Sequence, residues 1–148
     1  MFDSETATEG GAEHGRLLSI LARAEPAALK AQAEALLPGL GAVEVLASRT
    51  GLVMQPLRDP VEEVDFHLGE VLVAEAHLRA AGVEGYGMVL GRDTERAMAM
   101  AVLDAAWAAG LGRAAVAAFV AGEAARQEEE DAARLRAVEA TRVDMETF

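Results

Sequence analysis

Apolar residues recur along the chain first with a helical period, then with a strand period, then with a helical period again. From Glu13 to about Arg23, Leu17, Leu18, Ile20 and Leu21 fall on one face, which predicts a first helix. Pro26 suits the first turn of a second helix, where its missing N–H would be unpaired anyway. Leu29, Ala33, Leu36 and Leu37 form that helix's buried stripe, and Pro38-Gly39 is expected to stop it after about Leu37. Joined through Ala24-Glu25-Pro26, the two make a helical hairpin.

The period then falls to two. Val43 and Val45 open a strand, Arg49-Thr50-Gly51 reads as a turn, and Leu52 to Leu57 reads as a second strand closed by Arg58-Asp59-Pro60. Pro56 implies an edge or a termination. Val64 to Leu68 is a third strand, broken by Gly69-Glu70. Between Val71 and Arg79, strict alternation favours a strand over the helical pull of the alanines. Gly82 turns the chain into a last strand, Tyr86 to Leu90. Turns this short predict an antiparallel meander of about four to five strands.

Gly91-Arg92-Asp93-Thr94 ends the sheet, with Asp93 as the N-cap of a helix running to about Ala109. That helix is apolar almost all round, anchored by Met100, Leu103 and Trp107, so it is expected to be covered on every side. Asp104 is the exception. A buried carboxylate needs a partner, and Arg49 or Arg79 is the expected one, unless Asp104 faces another chain. Gly110 and Gly112 break the helix. A terminal helix follows from about Arg113 into the 130s, apolar at Val116, Phe119 and Val120, then charged with a thin stripe of Ala132, Leu135 and Val138. A stripe that thin suits a free-standing or partner-docked segment. The order predicts an α+β class, with residues 1–12 as a disordered tail and 13–148 as one domain.

Composition narrows the function. The 148 residues are 52% apolar but only 4% aromatic, a core of Ala, Val, Leu and Met with little ring surface, suited to stabilisation by a partner. A net charge of −12 argues against nucleic acid or an anionic membrane as partner. With no cysteine, disulfides, thiolate zinc sites and iron–sulfur clusters are excluded within this chain. Residues 1–15 lack the basic and apolar regions of a signal peptide, and no apolar run is long enough to cross a bilayer, so the expected location is the cytoplasm.

Few residues point to chemistry. Gly91, Arg92 and Asp93 open a helix, where a phosphate could bind, but an acid at the N-cap repels an anion, which favours a turn, a cap and an interface arginine. Glu70 has His67 and His77 near it in sequence, yet the three histidines (with His14) lack metal-ligand spacing. Ser19 and Thr50 have no adjacent base, and the Glu128–Asp131 run is a solvated face. No catalytic or metal residue is expected, and no cofactor held by this chain.

Several segments together resemble one family. Leu17-Leu18-Ser19-Ile20-Leu21-Ala22 followed by Pro26-Ala27-Ala28-Leu29 is similar to its helical hairpin, and Thr50-Gly51-Leu52-Val53 to its TGLV segment. Phe66 to Val73, Gly85 to Asp93 with Arg96-Ala97 following, and Ala140-Thr141-Arg142-Val143-Asp144 resemble three further motifs. The family is the G subunit of the carbon–phosphorus lyase core complex, and the likeness covers roughly Arg16 to Thr147. One departure is that Met145 and Glu146 stand where the family usually has aromatics. Met145 can fill a pocket; Glu146 cannot. The resemblance implies an accessory subunit working with H-, I- and J-type partners. That complex displaces adenine from ATP with an alkylphosphonate, giving an α-ribose 1-phosphonate 5-triphosphate. ATP is then a substrate of the complex. Gly91, Arg92, Asp93, Glu70 and Arg142 are the candidate substrate or interface residues. Two rival readings are a stand-alone enzyme using carboxylates such as Glu70 and Asp93, and a self-associating binding module.

Overall fold

The computed structural model describes residues 4–143, with side chains from residue 10 onward. Asp144, Met145 and Glu146, the end of the closing motif, lie outside the described residues. Helix α1 (Ser4–Ala22) and α2 (Pro26–Leu40) precede three strands, β1 (Val43–Arg58), β2 (Asp65–Ala80) and β3 (Val83–Leu90). Helices α3 (Thr94–Ala109) and α4 (Arg113–Ala140) close the chain. The class is α+β as expected. The sheet is an antiparallel meander in the order β1-β2-β3.

Three strands replace the expected four or five because two predicted turns are ladder residues. Gly51 pairs with Val73 and Gly69 pairs with Gln55, and neither glycine has the positive φ that a glycine turn uses. The chain reverses instead at Asp59–Val64. There the Asp59 side chain accepts from the Val61 amide at 2.8 Å, and Glu63 takes a φ of 56°. Pro56 sits on edge strand β1 at a register shift, where a missing donor is tolerated. Ala81 and Gly82, both at positive φ, make the two-residue β2–β3 turn.

Helix α2 also overruns its expected stop. Pro38 lies within its last turn, and because Leu40 is buried, packing holds the turn that the proline weakens. Gly41, at φ 72°, ends the helix. At its start Glu25 caps Ala27 and Ala28 through its carboxylate, with Pro26 in the first turn. Helix α1 begins at Ser4, well ahead of the expected Glu13.

Helix α3 is the centre of the molecule. It lies on one face of β2 and β3, with α2 packed beside it. Ala74, Ala76 and Leu78 of β2 and Gly85, Gly87 and Val89 of β3 are buried at alternate positions, the period of a half-covered sheet. The small residues set the spacing. A Cβ at Gly87 would fall 2.0 Å from the Ala97 carbonyl oxygen, and one at Gly85 2.1 Å from that of Ala101. The helix therefore rests on bare strand backbone, which lets a core so poor in aromatics pack closely. From Ala99 to Ala106 every residue of α3 is buried, as its all-round apolar pattern predicts. Trp107 is only half-buried, with the Arg113 guanidinium 5.2 Å above its ring.

The layers are locked by arginine and glutamine donors. Arg96 reaches the Ala22 and Ala24 carbonyls at 2.8 and 3.0 Å, and Gln127 reaches that of Ile20 at 2.9 Å. These acceptors lie at and just past the C-terminal end of α1, where carbonyls lose their intrahelical donors; that of Ile20 also accepts from the Arg23 amide at 3.2 Å.

Candidate functional site

The predicted Gly91-Arg92-Asp93 corner forms where β3 leads into α3. Gly91 adopts φ 97°, and its amide donates to the Leu72 carbonyl at 3.0 Å, carrying the ladder one residue past β3. Asp93 caps α3, accepting from the Arg96 amide at 2.9 Å through Oδ1 and from Lys30 Nζ at 3.0 Å through Oδ2. Glu95 adds a second carboxylate 3.4 Å from the same ammonium. The Arg96 amide and the Lys30 ammonium hold the Asp93 carboxyl below its usual range, and the Asp93 hydrogen bond raises Lys30. Asp93 is thus ionised at neutral pH and fills the α3 N-terminus with its own negative charge. Arg92 is exposed.

Glu70 stands on β2 opposite Met54, just beyond Leu72, so it shares the neighbourhood of Gly91 and is exposed. Arg142 lies past the end of α4, 3.1 Å from Glu139, and is not brought to this corner by any described contact. A concavity of about 310 Å³ runs between α2 and α3, with Lys30 and Glu95 beside an apolar floor of Leu37, Met98 and Val102. Another, about 410 Å³, opens on the sheet above Gly51 and Val73. Neither Glu70 nor Asp93 lines either one, so the carboxylates of the stand-alone enzyme reading do not converge in them.

Asp104 overturns its expected pairing. Arg49 is taken by Glu75 at 2.8 Å, and Arg79 by Glu84 at 2.8 Å and Glu44 at 3.3 Å. Asp104, 3% exposed, accepts instead from His14 Nε2 at 2.6 Å and from the Tyr86 amide at 2.9 Å. A backbone donor and an imidazole satisfy both oxygens, so no guanidinium is needed.

On the sheet face away from α3, the Tyr86 hydroxyl donates to Glu75 at 3.1 Å alongside Arg49. Arg49 and then Tyr86 hold the Glu75 carboxyl below its usual range, while burial and then Glu75 push the phenol up. Glu75 is therefore a fixed anion rather than a general base poised near neutrality. Beside it His77 meets Glu84 at 2.9 Å. Among the described residues no three His, Cys, Asp or Glu side chains cluster as a metal site, and no helix is long and apolar enough to cross a membrane.

The largest feature that sequence reasoning misses is the outer half of the β1–β2 hairpin. The β1–β2 ladder runs from Val43↔Ala80 to Arg58↔Asp65, whereas β3 covers β2 only from Val73 to Ala80. Residues 52–58 and 65–72 therefore form a two-stranded arm about 25 Å long, with Leu52, Met54, Phe66 and Leu68 exposed. Its sequence signal is alternation like that of any half-covered strand, which does not say whether a cover exists.

Comparison with known proteins gives two matches. The family described as phosphonate metabolism protein PhnG matches residues 12–148. A protein of Rhizobium meliloti (strain 1021), the alpha-D-ribose 1-methylphosphonate 5-triphosphate synthase subunit PhnG, is 34% identical over 140 residues, 94% of this chain and 90% of that one.

Proposed function

Because this chain belongs to the phosphonate metabolism protein PhnG family, we propose that it is a non-catalytic subunit of a ribose 1-methylphosphonate 5-triphosphate synthase. The observation that carries this is the end-to-end likeness to a subunit bearing that name, over 94% of the chain. In the reaction proposed for the complex, a phosphonate oxygen attacks C1′ of ATP, the bond from C1′ to N9 breaks, and adenine leaves. ATP is the substrate of the assembly, which places the work in the cytoplasm, and H-, I- and J-type subunits are the partners.

Within that assembly the chain braces. Three carboxylates near the sheet and α3 are engaged: Asp93 as a cap, Glu75 by Arg49 and Tyr86, Asp104 by His14. Its helix N-terminus is occupied by Asp93 rather than open to an anion. Arg92, exposed beside the arm, is placed for a partner's carboxylate or for a substrate phosphate at the subunit boundary.

The test is methylphosphonate-dependent release of adenine from ATP by the remaining subunits, with and without this chain. Loss of release on omission, restored by adding the wild type, is expected. Full release without the chain contradicts the reading. With the assembly formed, Arg92→Ala separates two roles: a raised KM at unchanged assembly places Arg92 at substrate, and lost assembly places it at the interface.

A further inference from the structure

From the unpartnered β1–β2 arm we infer that this hairpin is the docking element by which the chain enters its complex, seated in an apolar groove of a different subunit whose rim carries Arg and Lys. The inference rests on the subunit reading above and adds where contact is made and with what chemistry.

Three observations carry it. First, the arm continues the core. Ala74, Ala76 and Leu78 are buried under α3, and alternation puts Leu72 and Glu70 on that same face. Their cross-strand partners are Leu52 and Met54. Beyond the helix the face is bare: Leu52 is 61% and Met54 53% exposed. Nearer the tip, the Leu57–Phe66 cross-strand pair and Leu68 are exposed as well. Second, β1 is an edge along its whole length, and β2 is an edge beyond Gly91. Long apolar edges are templates for aggregation that natural proteins cover or blunt, so this one calls for a cover.

Third, charge selects the occupant. Residues 51–72 carry five carboxylates (Asp59, Glu62, Glu63, Asp65 and Glu70) and one guanidinium, Arg58. Arg58 stands 3.5 Å from Asp65 and 3.9 Å from Glu63, leaving the tip an excess of anions around an apolar stem. A second copy would bring the same acidic tip and a net charge of −12 against the first. A groove with an apolar floor and a basic rim satisfies both features, with the charges steering the approach.

The experiment co-expresses the full-length tagged chain with the remaining synthase subunits and compares the wild type with the double variant L52E/M54E. Both positions are exposed, so the isolated fold is expected to keep its circular dichroism and melting temperature. Capture of the other subunits should fall at least tenfold. Capture equal to wild type overturns the arm as the contact. If the wild type itself captures nothing, the subunit reading fails first, and the arm's role with it. Should the variant fold poorly, a photo-crosslinking residue at Leu68 in the otherwise native chain decides. A crosslink to another subunit supports the inference; a crosslink to a second copy of this chain, or none within a complex that forms, overturns it.

Discussion

Gly87→Ala tests the packing of the domain at its tightest point. The added Cβ would lie 2.0 Å from the Ala97 carbonyl oxygen and 2.9 Å from the Ala101 amide nitrogen. Both atoms are α3 backbone, so no rotamer change relieves the overlap. Restoring van der Waals contact lifts α3 from β3 by roughly 1 Å or more, which a close-packed interior resists. Overpacking typically costs about 1–3 kcal/mol, and a rigid backbone neighbour puts this case near ~3 kcal/mol. The roughly 0.5–1 kcal/mol by which Ala ordinarily exceeds Gly in a strand offsets little of it. For a chain of this size, ~3 kcal/mol lowers the melting temperature by roughly 10 °C. The control is Gly69→Ala on the arm, where a Cβ meets nothing within 4 Å and φ is ordinary. It should be neutral or stabilising by up to about 1 kcal/mol. Urea and thermal unfolding followed by far-UV circular dichroism read both. If Gly87→Ala is as stable as Gly69→Ala, α3 does not rest on bare strand backbone and the account of the core is wrong.

Four further predictions concern the polar contacts and one turn. Arg96→Ala leaves the Ala22 and Ala24 carbonyls without their donor and should cost about 1–3 kcal/mol; Arg96→Lys, a single point donor, should recover only part of it in the same urea titration. Asp104→Ala removes the acceptor of the Tyr86 amide and should also cost about 1–3 kcal/mol, whereas Asp104→Asn, which keeps an acceptor, should cost less. Asp93→Asn keeps a capping oxygen but loses the charge that meets Lys30. Because the folded Asp93 carboxyl lies below its unfolded value, its stabilisation is present above the ordinary aspartate range, about pH 4. It is lost as pH falls through and below that range, so the variant's stability should fall less steeply on acidification. Ala81, at φ 50°, carries left-handed strain, and Ala81→Asn should raise stability by about 0.5–1 kcal/mol in thermal melts.

Helix limits were legible where local chemistry decides them. Pro26 in a first turn, Asp93 as a cap and Gly110 as a left-handed stop all stand as the residues predict. Strand count was not. Arg49-Thr50-Gly51 and Gly69-Glu70 carry turn-like composition, but a ladder partner across the hairpin outweighs the local preference of a glycine. Pro38 is the same lesson in a helix, overridden by the burial of Leu40. Long-range pairing was beyond reach: His14 meets Asp104 and Lys30 meets Asp93 across separations that no spacing encodes. Within the candidate site, Gly91-Arg92-Asp93 was legible because its parts are contiguous. The bare arm was not, since alternation marks a face and leaves its cover unstated. Family membership was legible from motifs recurring in one order.

The central claim is that this chain functions as one subunit of a larger synthase. Native mass spectrometry of the full-length chain co-expressed with the H-, I- and J-type subunits from the same source tests it most directly. The account predicts a single assembly whose mass includes this chain. A well-folded homo-oligomer of this chain, separate from the other subunits when all are present, would contradict it.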